Sequence, residues 1–149
     1  MKIFDCFMYF DEEIVLDLRL NMLNPLVDYF VIVESKFTHK GDKRDLKFDI
    51  NKFNEFKDKI IYLVFDEEPI NIEELNDKDL ESEKSRKLIL NAAHRENGQR
   101  NFITKGIENA DSNDLILISD VDEIPNLENV DFKKIKNQII LFKQDMFYY

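Results

Sequence analysis

The sequence predicts an α/β domain with a mainly parallel sheet and helices on both of its faces. Strand-like and helix-like segments alternate along the 149 residues, as in consecutive strand-helix-strand units. The run IIYLVF at 60–65 is apolar without interruption, which is typical of a strand covered on both sides. Three glycines and three prolines are too few for a disordered or linker-rich chain, so we expect a single domain over residues 1–149.

Five strands are predicted from short runs rich in aromatic and branched apolar residues. They cover residues 2–10, 29–35, 60–65, 115–119 and 138–149. The fifth run, QIILFKQDMFYY, closes the chain. A partial sheet of this kind leaves an edge strand exposed, so we expect self-association through 138–149.

The first helix is predicted directly after the first strand. Asp11 is suited to cap its start, and the two glutamates that follow suit the positive end of a helix. Ile14, Leu18 and Met22 recur at a spacing of four, which is typical of one helix face. The Asn-Pro pair that comes next ends the helix.

Two further helical segments are predicted before the fourth strand. Residues 50–59 form a short helix with Phe53 and Phe56 pointing inward. Residues 83–109 form a long helical region, and Gly98 predicts a break in it.

Composition argues against two classes of partner. A net charge of −10 repels phosphate backbones, so a nucleic acid is not expected. No stretch approaches the ~20 consecutive apolar residues of a membrane span.

The single cysteine, Cys6, excludes an intrachain disulfide, and its apolar neighbours predict a small buried side chain.

The stretch DLILISDVDEIP, residues 114–125, places Asp120, Asp122 and Glu123 directly after an apolar strand. Ligands of parallel α/β sheets bind beyond the carboxyl ends of the strands. Side chains two apart on an extended chain point the same way, so Asp120 and Asp122 are placed to face one point. Neighbouring carboxylates repel each other unless a cation is present, and Mn²⁺ or Mg²⁺ prefers such oxygen ligands. The motif therefore predicts a metal-diphosphate site.

Three other interpretations of this Asp-x-Asp motif are open. A calcium loop needs glycine at its sixth position and usually glutamate at its twelfth, where this chain has Pro125 and Asp131. Aspartate-nucleophile phosphatases carry the motif on the first strand with Thr or Val after it, whereas here at least three strands precede it and Glu123 follows. The third interpretation is a solvated turn stiffened by the proline, with no metal at all.

The motif ISDVDEIP, with ENGQRNFITKGI upstream of it, resembles glycosyltransferase family 17. This is the family of β-1,4-mannosyl-glycoprotein β-1,4-N-acetylglucosaminyltransferase. The opening strand-helix-strand block and the block THKGDKRDLKF extend the resemblance over essentially the whole chain. It implies a GT-A-like, Rossmann-like fold, a UDP-sugar donor such as UDP-N-acetylglucosamine, a glycan acceptor, a divalent metal, and inversion at the anomeric carbon.

The resemblance also implies roles for individual residues. Asp122 would ligate the metal directly, and Asp120 would lie near both the metal and the ribose. Glu123 would support them or face the donor sugar. The residues implied to bind the donor are Glu34, Gln99, Arg100, Asn101, Asp120 and Glu123.

Several of these residues have a plain structural alternative. Glu34 would approach the nucleoside, or be a simple charge at a strand end. Arg100 would approach the diphosphate, or form a helical pair with Glu96, four residues before it. The two histidines, His39 and His94, lie at no ligand spacing from the Asp pair.

The implied reaction is attack of an acceptor hydroxyl on the anomeric carbon, helped by a general base. Transferases of this fold usually exceed 149 residues, so we expect the base beyond Tyr149 and expect this chain to be the N-terminal, nucleotide-binding part of the full fold. The alternative function is a non-catalytic nucleotide-sugar-binding module or assembly subunit. Because eukaryotic relatives carry an N-terminal anchor that this sequence does not show, we expect a bacterial or virus-like cytoplasmic setting.

Overall fold

A parallel sheet of four strands forms the centre of the described structure. The computed structural model describes residues 1–135 and 138–145. The strands are β1 (Ile3–Tyr9), β2 (Tyr29–Ser35), β3 (Ile60–Phe65) and β4 (Leu115–Ile118). They lie in the order β3-β2-β1-β4, and every pairing is parallel. The predicted α/β class with a parallel sheet is therefore confirmed.

Helical segments cover both faces of this sheet. The two α-helices are α1 (Glu13–Leu23) and α2 (Glu81–Asn101). Short 3-10 turns lie at Ile50–Phe53, Phe102–Gly106 and Phe132–Lys134. One core layer joins α1 and the first 3-10 turn to one face of β1 and β2, and the other joins the turn after α2 to the opposite face. Phe53 and Phe56 are buried in the first layer, as predicted.

The apolar stripe recognised on the first helix lies on its exposed side. Ile14, Leu18 and Met22 are 86%, 52% and 53% exposed. The buried side of α1 consists of Leu16, Arg19, Leu20 and Leu23. The spacing-of-four pattern identified the helix but not its buried face, because Leu16, Leu20 and Leu23 form a second apolar stripe and that stripe is the buried one.

Asp11 does not cap α1, as the sequence had suggested. The helix begins at Glu13, and the residue before it is Glu12. The Glu12 carboxylate accepts hydrogen bonds from the amides of Phe10 and Asp11, both at 3.0 Å. The carboxylate that binds the backbone at the start of α1 is therefore that of Glu12, and not that of Asp11 as predicted.

The predicted break at Gly98 is wrong, because α2 continues through it to Asn101. A Cβ atom at position 98 would lie 3.0 Å from the ring of Phe65 and 3.3 Å from Pro69. The glycine therefore allows α2 to pack closely on the end of β3. The regular helix changes to a 3-10 turn only at Phe102.

That turn contains a still closer contact at its last residue, Gly106. A Cβ atom there would collide with a methyl group of Val31 on β2 and would lie 3.2 Å from a methyl group of Leu63 on β3. A side chain at this position does not fit between the turn and the sheet.

The two outer strands differ from their predictions. The run at 60–65 forms β3 as predicted, but five of its six residues are only partly buried because β3 is an edge strand. Residues 138–145 of the predicted fifth strand contain no strand, and residues 146–149 lie outside the described residues. The expectation of self-association through this segment therefore stays a prediction.

Cys6 lies on β1 with no exposed surface, as predicted. Burial, aided by neighbouring Asp5, raises the pKa of its thiol to about 12. At neutral pH the thiolate population is then roughly a thousandfold below that of an exposed cysteine. We expect the native protein not to react with a thiol-specific disulfide reagent at pH 8.

The same reagent should titrate one thiol per chain in guanidinium chloride, since Cys6 is the only cysteine. Spectrophotometric thiol counting measures both states. Modification of the native protein at the rate of the denatured one would contradict the burial of this thiol.

Candidate functional site

The three carboxylates singled out by the sequence lie in a tight turn after β4, residues 119–124, which we call the acidic turn. The Glu123 amide donates to the Asp120 carbonyl at 3.0 Å, and the Ile124 amide donates to the Asp122 carbonyl at 3.1 Å. The Asp120 amide donates to a carboxylate oxygen of Glu123 at 3.0 Å. These bonds fold the turn back on itself while Asp120, Asp122 and Glu123 remain exposed.

The three exposed carboxylates line one open cleft. One wall of the cleft is β4 and the acidic turn, the other is segment 138–145, and the volume is about 1130 Å³. Asp145, in the second wall, also lines it. We call this space the acidic cleft. It runs along the edge strand β4 from Leu115 to the acidic turn, which lies at the carboxyl end where parallel sheets present ligands.

Arg100 reaches the acidic turn from the last residues of α2. Its guanidinium lies 3.0 Å from an oxygen of Asp120 and 3.1 Å from an oxygen of Glu96. The helical pair with Glu96 and the approach to the carboxylate motif are therefore both present. Since the side chains of Arg100 and Asp120 are 37% and 54% exposed, this contact is open to exchange with a ligand.

The two neighbours of Arg100 have different surroundings. Gln99 is buried, and its amide donates to the Val33 carbonyl of β2 at 2.8 Å. Asn101, the last residue of α2, is exposed. Gln99 therefore fixes the end of α2 on the sheet, and the structure leaves Asn101 facing solvent.

Beneath the acidic turn lies an ion pair that sequence reasoning did not place in the site. Arg19 of α1 and Asp5 of β1 are both fully buried. The guanidinium donates through Nε and Nη2 to the two Asp5 oxygens, at 2.8 and 2.7 Å. One signal was available in the sequence, namely an aspartate inside the otherwise apolar first strand, because a buried charge requires a partner.

Glu34 lies at the end of β2 as expected, but its carboxylate has no exposed surface. It accepts hydrogen bonds from the amides of Lys47 and Phe48, at 2.7 and 3.1 Å, and from the Tyr62 hydroxyl at 2.8 Å. Arg44 pairs with it at 3.0 Å. The carboxylate thus ties segment 36–49 to the sheet, and contact between Glu34 and a donor stays a prediction.

Two tyrosines near Glu34 have altered acidity. Burial, together with the hydrogen bond to Glu34, raises the pKa of Tyr62. Burial and the same carboxylate raise the pKa of Tyr9 to about 12. Both hydroxyls therefore stay protonated well above neutral pH.

The donor set of the acidic cleft limits how a metal would bind. Within residues 1–135 and 138–145, no group of three or more His, Cys, Asp or Glu side chains is arranged to hold a metal ion. His39 is exposed in its loop and His94 is half-buried on α2. A cation in this cleft would therefore need ligands from a bound molecule or from water, in addition to protein carboxylates.

The fold and the site together define an α/β protein that presents carboxylates at the carboxyl edge of a parallel sheet. The model of glycosyltransferase family 17 matches residues 1–144. No curated protein and no solved structure gives a significant match to the chain. Because the family match spans nearly all of the 149 residues, this chain belongs to glycosyltransferase family 17. It is a glycosyltransferase, with a sugar donor and an acceptor as its substrates.

No helix among the described residues combines the length and the apolar character needed to cross a bilayer.

The Glu34 cluster makes stability sensitive to alkaline pH. The pKa of Tyr62 in the folded protein lies above its ordinary value of 10.0. The contribution of the Tyr62 hydroxyl to the free energy of unfolding is therefore complete below pH 10 and is lost as the pH rises through the folded pKa. Tyr62→Phe removes this dependence. Its free energy of unfolding should fall less steeply above pH 10, by at most about 1.4 kcal/mol per pH unit.

Urea unfolding between about pH 9 and about pH 11 measures this slope. Tyr29→Phe is the control, since Tyr29 packs on Phe4 and makes no contact with Glu34 among the described residues. Parallel slopes for the parent and Tyr62→Phe would show that the hydroxyl does not couple to Glu34.

Proposed function

We propose that this glycosyltransferase binds a UDP-sugar through a divalent cation held by Asp120 and Asp122. The proposed donor is UDP-N-acetylglucosamine, the cation is Mn²⁺ or Mg²⁺, the acceptor is a glycan, and transfer inverts the anomeric carbon within a GT-A-like fold. The observation that carries the proposal is the exposed set of three carboxylates at the end of a parallel strand, in one cleft with Arg100 at its side. Family membership supports the choice of a sugar donor.

The acidic turn fits an open Mn²⁺ or Mg²⁺ site. Among the described residues, the Asp122 carboxylate is exposed and has no hydrogen-bond or ion-pair partner. In the Asp120 carboxylate, one oxygen pairs with Arg100. Two carboxylates are the number of protein ligands that such ions commonly use when substrate phosphates and water complete the octahedron.

Electrostatics explain why binding would depend on the cation. Asp120, Asp122 and Glu123 bring negative charge to the cleft of a protein whose net charge is −10. A diphosphate 4 Å from each carboxylate would be repelled by about 1 kcal/mol per charge pair even at the dielectric constant of water. A divalent cation between them reverses the sign of this interaction.

Each part of the site then has a distinct task. Asp120 and Asp122 orient the diphosphate through the shared ion, and Glu123 shapes the turn by accepting the Asp120 amide. The bound cation would offset the charge that develops on the departing UDP. Arg100 would exchange its Asp120 contact for phosphate oxygens, which suit its fixed fork of donors.

Two residues of the predicted donor set act indirectly in this proposal. Gln99 holds the end of α2 on β2, and so sets the position of Arg100. Glu34 holds segment 36–49 beside the carboxyl edge of the sheet. We propose that Asn101, exposed next to Arg100, approaches the base.

The alternative is a non-catalytic donor-binding module, and the two functions differ in the need for a general base. An inverting transfer needs a general base for the acceptor hydroxyl. The carboxylates of the acidic turn are assigned to the ion and to the turn itself, and Asp145 is the remaining acidic residue that lines the described part of the cleft.

Donor turnover separates the two functions. The protein is incubated with UDP-N-acetylglucosamine and Mn²⁺, and released UDP is quantified with and without glycan acceptors. Release above the spontaneous rate supports the transferase. Tight metal-dependent binding without release would identify a binding module.

Replacement of Asp122 tests the metal assignment. Asp122→Asn removes one anionic ligand, so we expect at least a tenfold loss of the Mn²⁺-dependent part of UDP affinity, with no change in the circular dichroism spectrum. Calorimetric titration of UDP with and without Mn²⁺ measures this loss.

The matched control is Asp77→Asn, in the chain's other Asp-x-Asp pair, Asp77 and Asp79, which lies in a polar segment before α2. It should bind UDP and Mn²⁺ as the parent does. An Asp122→Asn protein with parental affinity would refute the ligand role.

Replacement of Arg100 tests the diphosphate contact. Arg100→Gln keeps a polar side chain but loses the charge, so UDP affinity in Mn²⁺ should fall about tenfold. Glu96→Gln is the control, because it removes only a helical pair worth about 0.3–0.5 kcal/mol and leaves the Asp120 contact. Equal UDP affinities for Arg100→Gln and the parent would exclude Arg100 from the donor site.

A further inference from the structure

Arg19 links the sheet core to the backbone of the acidic turn. Besides Asp5, its guanidinium donates to the carbonyls of Asp120 at 2.7 Å, Val121 at 3.1 Å and Glu123 at 3.2 Å. It also donates to the Ser119 hydroxyl at 2.7 Å, and this hydroxyl donates in turn to the Glu123 carbonyl at 3.0 Å. One buried cation therefore binds four of the five residues from Ser119 to Glu123, all except Asp122.

These contacts use every nitrogen of the guanidinium. Nε and one side of Nη2 serve Asp5, the rest of Nη2 serves Ser119, and Nη1 serves the three carbonyls. The planar fork suits such convergent acceptors, and a lysine ammonium does not reproduce it. The ring of Phe7 closes the remaining side of the guanidinium at 4.6 Å.

The carbonyls bound to Arg19 lie on the core side of the turn, which affects which side chains face the acidic cleft. Val121 is buried in the core beside Leu117 and Leu127, whereas the residues on either side of it, Asp120 and Asp122, are exposed. The carbonyls of Asp120 and Val121 are bound to Arg19, so the backbone that carries these two exposed side chains is held in place. The two acids thus remain together on the cleft side of the turn.

Stability alone does not account for this arrangement. A buried ion pair is often no more stabilising than apolar residues of the same volume, because both ions lose their hydration. A buried pair that gathers three backbone carbonyls and a hydroxyl of one functional turn instead fixes the geometry of that turn.

We propose that Arg19, held by Asp5, is the positioning residue that keeps the acidic turn in its ligand-binding geometry before a ligand arrives. The inference deepens the proposed function, since it rests on the same carboxylates as metal ligands. Arg19 touches neither the metal nor the donor. Its effect is preorganisation, which lowers the cost of ordering the turn on binding.

The test compares Arg19→Lys with the parent in two independent measurements. The first is amide hydrogen exchange of the ligand-free protein, where the Glu123 and Ile124 amides bond within the turn. We expect at least tenfold faster exchange across 119–124 and parental exchange in β2. The second is UDP titration with Mn²⁺, where we expect at least a tenfold loss of affinity.

Two further variants complete the design. Arg86→Lys is the matched control, because Arg86 also binds one carboxylate through two nitrogens, here Nη1 and Nη2 to Glu73 at 2.9 Å each, but on an exposed part of α2. It should keep parental exchange and affinity. If Arg19→Lys does not fold, Asp5→Leu/Arg19→Met replaces the whole pair by apolar side chains and is read by the same two measurements.

The outcomes separate this inference from the proposed function. Faster exchange confined to the acidic turn supports positioning by Arg19, whether or not the parent binds UDP. Failure of the parent to bind UDP would refute the proposed donor and not the role of Arg19. Parental exchange in 119–124 in a folded variant overturns the inference. Uniformly faster exchange that includes β2 also overturns it, because Arg19 would then be a general stabiliser.

Discussion

The buried Asp5–Arg19 ion pair joins the consecutive elements β1 and α1 to the acidic turn, which lies about a hundred residues further along the chain. Each ion loses its hydration at a cost of several kcal/mol, and the pair persists only if its remaining hydrogen-bonding groups are satisfied. The oxygens of Asp5 bind the guanidinium, and its other donors bind the turn after β4. Strand β1, the first helix and the acidic turn are therefore held together, since moving any of them would leave a buried charged group with unpaired hydrogen-bonding atoms.

The same arrangement recurs at the end of the neighbouring strand. Glu34 of β2 is buried and pairs with Arg44, whose guanidinium also donates to the carbonyls of Ser35 and Phe10. In both places a strand carboxylate holds an arginine, and the arginine holds loop backbone at the carboxyl edge of the sheet. Hydrophobic packing forms the layers, whereas these two polar clusters fix the loops that a ligand would meet.

The sequence was sufficient to predict features that depend on local pattern. The runs at 29–35 and 60–65 became strands with those bounds, because continuous apolar residues with branched or aromatic side chains have few alternatives. The location of Asp120 and Asp122 at the sheet edge followed from the general rule for parallel sheets. Their exposure in one cleft agrees with that rule.

Features that depend on remote partners could not be predicted in this way. The first helix carries two apolar stripes, and the spacing of Ile14, Leu18 and Met22 marked the exposed one. The buried stripe also contains Arg19, and the partner that allows its burial lies on β1. Gly98 was interpreted from its propensity alone, although its role is close packing on Phe65. Glu34 gave no sign in the sequence that internal donors would occupy its carboxylate.

The close contact at Gly106 affects the position of Arg100 relative to the acidic turn. The 3-10 turn that ends there continues directly from α2, whose penultimate residue is Arg100. A hydrogen atom in place of a methyl group at position 106 sets the spacing between this helical layer and the sheet. A larger residue at position 106 would push the end of α2 away from the sheet. The guanidinium of Arg100 would then move away from the Asp120 carboxylate. The absence of a side chain at Gly106 thus helps to set the distance between Arg100 and Asp120.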